Sequence, residues 1–550
     1  MLRSAFAFCI AAGLFIALAL ALPVELGARA LGQRYAVATE SDTATRAALE
    51  RMKAGGNAVD AAVTAALAAG VASPTSSGLG GGGFALVFDG KQRPWVIDFR
   101  ETAPSGIDPA AFERRPLPED ERGRLIGVPG ELKGLFELHR RAGSQSWRDV
   151  VTPAADLARR GFRVGAHLAG MLKFAASKLG DPSLQALFFR SGVPVGVGAV
   201  VKNPALAATL DRIAAEGPAA LYEGPIAAEI VDAAQSAGGA LSLADLRAYK
   251  PLAREPLHVV FEGSDVYTMP PPSAGGMMLV QTLKLFGAGR LRKLGIESGA
   301  YQHLIAEALR AAIADRMRYL GDPAHANVDV AALVSDARMD ARRRSIALDR
   351  THAVPRFGLE GQGTHHLVTA DARGMVVSLT TTVNRVFGAR VVAAKSGIVL
   401  NDELDDFTAS ADVAPFGMSQ SPNRPRPGAR PVSSMTPTIV LAGGRAVLAL
   451  GGSGGPTIAT NVTQLVLSNL VFGTPPEQAV SARRFYVPSS GAYMLLEKGA
   501  HPALVENLER RGEIVGTMPF NGSAVQMIAR DGNAWRAASD PRKHGTAMAE

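Results

Sequence analysis

A chain of 550 residues with 47% hydrophobic and 20% charged residues has enough apolar side chains for a sizeable core, which excludes a disordered protein. The net charge of +8 comes from scattered basic residues without interleaved aromatic ones, so no nucleic-acid partner is expected. Because Cys9 is the single cysteine and the ten histidines show no ligand spacing, neither a disulfide nor a metal site is expected, and no other cofactor.

The first 30 residues have the pattern of an export signal. Arg3 gives a short positive region, residues 5–24 form an apolar run, and Ala28-Arg29-Ala30 offers small residues for cleavage. The apolar run also just reaches membrane-spanning length, so a retained anchor is the alternative. The sequence predicts an exported protein, periplasmic or secreted, with no stable membrane partner.

Helices and a strand pair are predicted next along the chain. A helix over 43–53 ends at a glycine pair, and Asn57 opens a second, alanine-rich helix. A glycine run at 80–83 leads into a strand at 84–88, which the strand at 95–100 pairs with. Residues 145–355 are predicted to be mainly helical.

The pattern changes to strands after residue 364. Strands are predicted at 366–369, 375–382, 397–400, 438–441 and 446–450, with a helix near 460–471 and a strand-rich tail. The segment 410–430 is predicted to be a loop, because it is rich in Pro, Ser, Asn and Arg. Strands at both ends of the chain and helices between them indicate layered α and β elements.

Thr364 is the candidate nucleophile. A threonine hydroxyl reacts poorly unless a base lies beside it. If the chain were cut after Gly363, the new α-amino group of Thr364 would be that base, since its pKa is ordinarily about 7.7–8.0. An isolated Gly-Thr pair is more often the start of a strand, so further groups are needed to support this hypothesis.

Two such groups follow Thr364 in the sequence. Thr382 ends the next strand of a predicted hairpin, from which its hydroxyl can donate to the oxygen of Thr364. Gly454 and Gly455 follow an apolar strand, so their backbone N–H groups can stabilise an oxyanion, typically by about 3 kcal/mol per donor. A phosphate-binding loop is the alternative for this glycine pair, but no Lys-Ser or Lys-Thr follows it.

Together with these groups, a series of motifs covers nearly the whole chain after the signal. In order they are Gly56-Asn57-Ala58-Val59-Asp60-Ala61-Ala62, Gly78-Leu79-Gly80-Gly81-Gly82-Gly83-Phe84, Asp98-Phe99-Arg100-Glu101-Thr102-Ala103-Pro104, Pro271-Pro272-Ser273-Ala274-Gly275-Gly276, Gly363-Thr364-His365-His366, Asp405-Asp406-Phe407, Pro431-Val432-Ser433-Ser434-Met435-Thr436-Pro437-Thr438 and Ser539-Asp540-Pro541-Arg542. The chain resembles the γ-glutamyltranspeptidase family of N-terminal nucleophile hydrolases.

The resemblance implies an α+β fold, a four-layer αββα sandwich, in a chain that cuts itself before Thr364. A helix-rich large fragment, 31–363, and a small fragment, 364–550, would remain together as a heterodimer within one αββα unit. The implied activity is γ-glutamyl transfer or hydrolysis on glutathione and related compounds. The γ-glutamyl group would pass through an ester on Thr364 to water or to an amino acid or peptide acceptor.

The resemblance also implies the roles of the site residues. Thr364, Thr382, Gly454 and Gly455 would carry out catalysis. The groups that bind the substrate would be Arg100, Asn384, Glu403, Asp406, Ser433 and Ser434. Of these, Arg100 and the serine pair would hold the α-carboxylate, which suits the planar guanidinium of arginine, and Asn384, Glu403 and Asp406 would hold the α-ammonium group.

Several departures and alternatives remain open. His365 stands where the family often has a small residue, Pro456-Thr457 follows the glycine pair where many relatives have Ser-Arg, and Phe416 replaces a gating tyrosine of some relatives. These changes leave the balance of hydrolysis against transpeptidation open. One alternative is a related acylase acting on a glutaryl or oxamate amide, and another is an unprocessed binding protein without turnover.

Overall fold

Two seven-stranded antiparallel sheets organise the computed structural model, which describes residues 27–114, 117–352, 363–488, 491–518 and 522–550. In chain order their strands are β1 (Ala28–Gly32), β2 (Ala36–Thr39), β3 (Gly82–Phe88), β4 (Trp95–Asp98), β5 (Leu252–Arg254), β6 (Leu257–Phe261), β7 (Ser264–Thr268), β8 (Gly363–Ala370), β9 (Val376–Asn384), β10 (Thr438–Ala442), β11 (Arg445–Ser453), β12 (Ala524–Asp531), β13 (Ala534–Ser539) and β14 (Thr546–Ala549). The first sheet has the order β1-β13-β12-β11-β10-β7-β6, and the second has the order β14-β2-β8-β9-β3-β4-β5.

Helices cover the outer faces of both sheets. In chain order they are α1 (Asp42–Lys53), α2 (Ala58–Ala72), α3 (Glu131–Ala142), α4 (Trp147–Arg160), α5 (Ala166–Ala175), α6 (Pro182–Phe188), α7 (Pro204–Glu216), α8 (Ala219–Tyr222), α9 (Gly224–Ser236), α10 (Leu243–Ala248), α11 (Ala274–Leu285), α12 (Ala288–Leu294), α13 (Gly299–Tyr319), α14 (Val330–Leu333), α15 (Asp336–Ser345), α16 (Ser410–Val413), α17 (Thr457–Phe472), α18 (Pro476–Ser481) and α19 (Pro502–Glu509). Shorter strands form small side sheets at Phe162–Arg163, Phe189–Arg190, Val193–Pro194, Val200–Val201, Val392–Ala393, Ile398–Val399, Phe485–Tyr486, Tyr493–Glu497 and Ile514–Met518.

The sandwich has four layers because side chains alternate along the strands. On β8, Leu367 packs into the cluster that contains α2, whereas Val368 packs into the cluster that fills the space between the two sheets. This second cluster also contains side chains of α11, α13 and α17 on the far side of the first sheet. The order of layers is therefore helix, sheet, sheet, helix, and the predicted αββα sandwich is confirmed.

The beginning of α2 is tied to the strand that carries Thr364. Asn57 caps the helix, since its side chain accepts from the backbone N–H of Asp60 and its own N–H donates to the Asp60 carboxylate, both at 2.9 Å. Thr369 of β8 donates to the carbonyl of Ala58 at 2.8 Å. The helix start predicted at Asn57 is confirmed, and it fixes the helical layer against β8.

The region 145–355 is predicted to be mainly helical, but it also contains strands, of which β6 and β7 form the longest hairpin. Strands β6 and β7 pair with each other, and β7 joins the first sheet through β10. Their two-residue turn has Glu262 at a φ of 49° and Gly263 at 77°, the backbone of a tight hairpin. Val259 and Val260 before Gly263, and Val266 after it, are the β-branched residues in the sequence that indicate this hairpin.

Most of the predicted export signal lies outside the described residues, which begin at Gly27. Residues 28–30 belong to β1, which pairs along its length with β13 at the edge of the first sheet, so cleavage after Ala30 would remove part of this strand. Within the described ranges, no helix is both long and apolar enough to cross a membrane.

Candidate active site

Thr364 and Thr382 face each other across the β8–β9 hairpin. The register places them directly opposite, and their hydroxyl oxygens are 3.3 Å apart. Thr382 also donates to the carbonyl of Gly363 at 2.8 Å and accepts from the N–H of Asn384 at 2.8 Å. Because the single proton of Thr382 goes to Gly363, the hydroxyl of Thr364 is the donor between the two threonines, and the predicted donation from Thr382 to Thr364 is wrong.

Gly363 lies at an irregularity of this hairpin. The register shifts between Gly363 and Thr364, where Asn384 on the partner strand has a left-handed φ of 72°. A Cβ atom on Gly363 would overlap the carbonyl oxygens of Asn384 and Arg385. Glycine is therefore required by the close approach of the two strands at the bond that precedes Thr364.

The glycine pair follows β11 and precedes α17. Gly454 and Gly455 have positive φ angles of 117° and 63°, and Thr457 donates to the carbonyl of Gly454 at 2.9 Å. Their backbone lies at the N-terminal end of a 16-residue helix, which carries partial positive charge. Gly455 lines the same cavity as Thr364, whereas Gly454 is not among the residues that line it.

Nine of the ten predicted site residues meet in this one cavity, which has an empty volume of about 230 Å³. Its lining consists of Arg100, Thr364, Thr382, Asn384, Glu403, Asp406, Ser433, Ser434, Met435, Gly455 and Ile458. A larger cavity of about 450 Å³ lies elsewhere, between α2 and the residues near Phe188. None of the predicted site residues lines that cavity, so the smaller one is the candidate active site.

Arg100 is buried and pairs with the two carboxylates beside it. Its guanidinium donates to Asp406 at 2.6 Å and also to Glu403. Two further bonds go to the carbonyls of Pro431 and Val432, at 3.1 and 3.2 Å. The arginine and the carboxylates that the resemblance assigns to opposite charges of a ligand are therefore in contact with one another.

Each of these carboxylates keeps one oxygen for another donor. Glu403 Oε2 and Asp406 Oδ1 are buried and have no hydrogen-bond partner among the described residues. Burial raises the pKa of both Glu403 and Asp406, while the charge of Arg100 opposes the rise. Two buried acceptor oxygens with negative character suit an ammonium group, which has three donors.

The other predicted binding residues are held by neighbouring loops. Asn384 donates from its side chain to the carbonyl of Asp402 at 3.1 Å, which leaves the amide at the cavity wall. Ser433 accepts from the N–H of Met435 at 3.1 Å, and its own N–H donates to the carbonyl of Pro272 at 2.9 Å. The Pro-Pro-Ser motif at 271–273 therefore supports the serine pair.

His365 does not enter the cavity. It is on the opposite face of β8 from Thr364, is buried, and lies outside the cavity lining. Burial, together with the charge of Lys543, lowers the pKa of His365 to about 3, so the imidazole is neutral. His365, which stands where the family often has a small residue, therefore packs behind β8 and does not form part of the cavity wall.

Sequence reasoning missed a buried lysine behind the nucleophile. Lys543 donates to the carbonyl of Thr364 at 3.0 Å, to Glu40 at 3.0 Å and to the hydroxyl of Ser453. Glu40 in turn accepts from the N–H of His366 at 3.0 Å. Glu40 and Lys543 are 503 residues apart, so no local pattern indicates the pair.

A second missed cation lies behind the serine pair. Arg316, in the last turn of α13, donates to the hydroxyl of Ser434 at 2.6 Å. The sequence of α13 does not distinguish the role of Arg316 from that of Arg318 in the same turn. The partner of Arg316 is 118 residues away, so no local pattern indicates the contact.

Comparisons with known proteins bear on the whole chain. The model of the gamma-glutamyltranspeptidase family matches residues 44–550. The glutathione hydrolase proenzyme of Bacillus subtilis (strain 168) is 34% identical over 548 residues, covering 94% of this chain and 92% of the relative. The proenzyme of the same name from Pseudomonas aeruginosa PAO1 is 36% identical over 535 residues, covering 93% of this chain and 94% of the relative.

A solved structure has a similar fold. The cephalosporin acylase of Bacillus halodurans superimposes with a TM-score of 0.85 at 26% sequence identity, covering 95% of this chain and 97% of that one.

Proposed function

Because this chain belongs to the γ-glutamyltranspeptidase family, we infer that it is a self-processing γ-glutamyl transferase and hydrolase acting on glutathione and related γ-glutamyl compounds. The observation that carries this reading is a single cavity in which the hydroxyl of Thr364 lies with Arg100, Asp406 and the serine pair. A reactive hydroxyl and groups for both charges of an amino acid are thus within reach of one ligand.

Self-cleavage begins at the bond after Gly363. The hydroxyl of Thr364 attacks the Gly363 carbonyl, whose oxygen already accepts from Thr382 at 2.8 Å. The hydroxyl proton passes to the amide nitrogen of Thr364 as the peptide C–N bond breaks and an ester forms. Water then hydrolyses the ester, which leaves Gly363 as a carboxylate and Thr364 with its hydroxyl and a free amino group. The hydrogen bond from Thr382 stabilises the negative charge that develops on the carbonyl oxygen.

Turnover uses the same hydroxyl with its new base. The α-amino group takes the proton from Thr364 as its oxygen attacks the γ-carbonyl of the substrate, and the backbone N–H of Gly455 stabilises the oxyanion. The proton then passes to the leaving amine, and a γ-glutamyl ester of Thr364 remains. Water or the amine of an amino acid or peptide resolves the ester by the reverse sequence.

The head group of the substrate would replace contacts among Arg100, Glu403 and Asp406. Its α-ammonium donates to the unpartnered oxygens of Glu403 and Asp406, with Asn384 beside them, and its α-carboxylate accepts from Arg100 and the serine pair. The ammonium of the zwitterion compensates Glu403 and Asp406, and its carboxylate compensates Arg100. The buried charges therefore stay compensated.

A related acylase is the alternative, and the fold similarity to a cephalosporin acylase is the observation that favours it. An acyl group without an amine would leave two buried oxygens of Glu403 and Asp406 without a donor, which is costly. Relatives of higher identity over more than nine-tenths of the chain are named glutathione hydrolase proenzymes. These observations support γ-glutamyl chemistry over the alternative.

The proposed fragments, about 31–363 and 364–550, would stay together after cleavage. Each sheet contains strands from both sides of residue 364: β7 pairs with β10 in the first sheet, and β2 lies between β14 and β8 in the second. Separating the fragments would expose both sheets, which favours a stable heterodimer. The apolar run at 5–24 supports export to the periplasm or the medium.

Incubation with glutathione tests this function directly. Without an acceptor we expect glutamate and cysteinylglycine, and with glycylglycine we expect γ-glutamyl-glycylglycine as an additional product, both identified by mass spectrometry. Turnover of a glutaryl amide without turnover of glutathione would instead assign the acylase function.

A further inference from the structure

We propose that Arg316 is a positioning residue for the α-carboxylate of the substrate and that it acts through the hydroxyl of Ser434. This inference rests on the proposed function, because it assigns a role in binding the γ-glutamyl head group. It concerns a cation that lies behind the cavity wall.

The carboxylate end of the site needs a further source of positive charge. Arg100 donates to Glu403, to Asp406 and to the carbonyls of Pro431 and Val432. An incoming carboxylate therefore meets a guanidinium that is already compensated by two buried carboxylates. The serine pair is neutral, so the hydroxyls alone supply no charge to balance a carboxylate.

Arg316 supplies that charge indirectly, through the hydroxyl of Ser434. Its guanidinium donates to Ser434 Oγ at 2.6 Å, and Ser434 lines the cavity. Arginine has no acceptor, so the hydroxyl proton of Ser434 must point away from Arg316. A hydroxyl that accepts from a cation is also a stronger donor to an anion, because successive hydrogen bonds polarise one another.

The position of Arg316 in its helix keeps it charged. It lies in the last turn of the 21-residue helix α13, where the helix dipole stabilises a cation. Burial lowers the pKa of Arg316 to about 10, with the carboxylate of Asp406 opposing the fall, so the group is cationic at neutral pH. The same turn carries Arg318, whose guanidinium lies 5.8 Å from the ring of Phe416 and belongs to a different contact.

The competing explanation is a purely structural tie between α13 and the loop that carries Ser434. A structural tie would affect every ligand of the cavity alike. A positioning role would affect only ligands that have a carboxylate at the α position, and its effect would depend on the Ser434 hydroxyl.

Three competitive inhibitors separate these explanations, measured against hydrolysis of a chromogenic γ-glutamyl anilide. L-Glutamate carries both charges, glutarate lacks the ammonium, and 4-aminobutyrate lacks the α-carboxylate. For Arg316→Met we expect the inhibition constants of L-glutamate and glutarate to rise about tenfold, the size of one charge-assisted hydrogen bond. The constant of 4-aminobutyrate should stay within about twofold, and kcat within about threefold.

Further variants test the route through the hydroxyl. Arg316→Lys keeps the charge without the planar fork, so we expect a rise of about threefold. In a Ser434→Ala background, Arg316→Met should add little, since the group it orients is gone. Arg318→Met, which removes a cation from the same helical turn, should leave the constant of L-glutamate within about twofold.

Three outcomes would overturn the proposal: an equal loss for 4-aminobutyrate, no change for L-glutamate, or additive losses in the double variant. Cleavage of each variant into two fragments shows that it has folded. Calorimetric titration with L-glutamate gives the same comparison without turnover, so a protein that failed to hydrolyse γ-glutamyl amides would still report on Arg316.

Discussion

The two ends of the active-site cavity are built in different ways. At the nucleophile end, Thr364 and Thr382 are 18 residues apart and are placed by the register of one hairpin. At the head-group end, Arg100 and Glu403 are 303 residues apart and are brought together by loops from distant parts of the chain. At the first end the two hydroxyls lie beside the bond that precedes Thr364, whereas at the second the charges of Arg100, Glu403 and Asp406 compensate one another.

Removal of the nucleophile should have the largest effect. Thr364→Ala lacks the hydroxyl for both self-cleavage and turnover, so we expect a single chain on denaturing electrophoresis and a loss of at least about 10⁴-fold in kcat. Thr369→Ser, on the same strand but outside the cavity, is the control and should be cut normally. Two fragments from Thr364→Ala would show that another residue is the nucleophile.

Substitution of Arg100 should separate the two ends. The hydrogen bonds of Arg100 go to Glu403, Asp406 and the carbonyls of Pro431 and Val432, away from Gly363 and Thr382. We therefore expect Arg100→Ala to cut itself, while kcat/KM on γ-glutamyl amides falls about a hundredfold, or ~3 kcal/mol. Arg100→Lys keeps the charge that compensates Glu403 and Asp406 and should lose less activity. Normal turnover of glutathione by Arg100→Ala would make this a structural arginine.

A smaller and more selective effect is expected for Asp406→Asn. The change keeps the size of the side chain and removes its charge, so KM for a substrate with a free α-amine should rise about tenfold, or ~1.4 kcal/mol. The glutaryl version of the same chromogenic amide, which lacks the amine, should change by less than about threefold. Equal losses on both amides would refute the ammonium-binding role.

The smallest effect is expected from pH, which should change kcat through the nucleophile end and KM through the head-group end, each by a few-fold. The amine of Thr364 must be neutral to accept a proton, so kcat should rise with pH through about 7.7–8.0. Burial raises the pKa of Asp406, and its ionised form is lost as pH falls through this raised pKa, so KM should rise on the acid side. In Asp406→Asn, KM should no longer rise at acid pH, whereas kcat should still fall there. If the pH dependence of kcat were lost as well, Asp406 would also affect the reaction at Thr364.

The sequence predicts the nucleophile end well because its features are local. Alternation along 366–369 and 375–382 gives the β8–β9 hairpin, and the glycine before Thr364 and the pair at 454–455 occupy positions where the backbone demands glycine. The pattern of strands and helices predicts layered α and β elements, and the family resemblance predicts their αββα order.

What the sequence does not predict depends on distant contacts. Lys543 reaches Thr364 and Glu40 only once β13 and β2 lie in opposite sheets. The contact of Arg100 with Glu403 and Asp406 was also missed, since the resemblance assigns them to the two charges of a ligand. Buried charges are stable only when they compensate one another.

The most direct test is the mass of the small fragment, taken from a reaction with glutathione that is stopped by acid within milliseconds. We expect a fragment whose first residue is Thr364, part of it heavier by one γ-glutamyl group, with the added group located on Thr364 by peptide sequencing. A fragment that begins elsewhere, or a γ-glutamyl group on any other residue, would contradict the account.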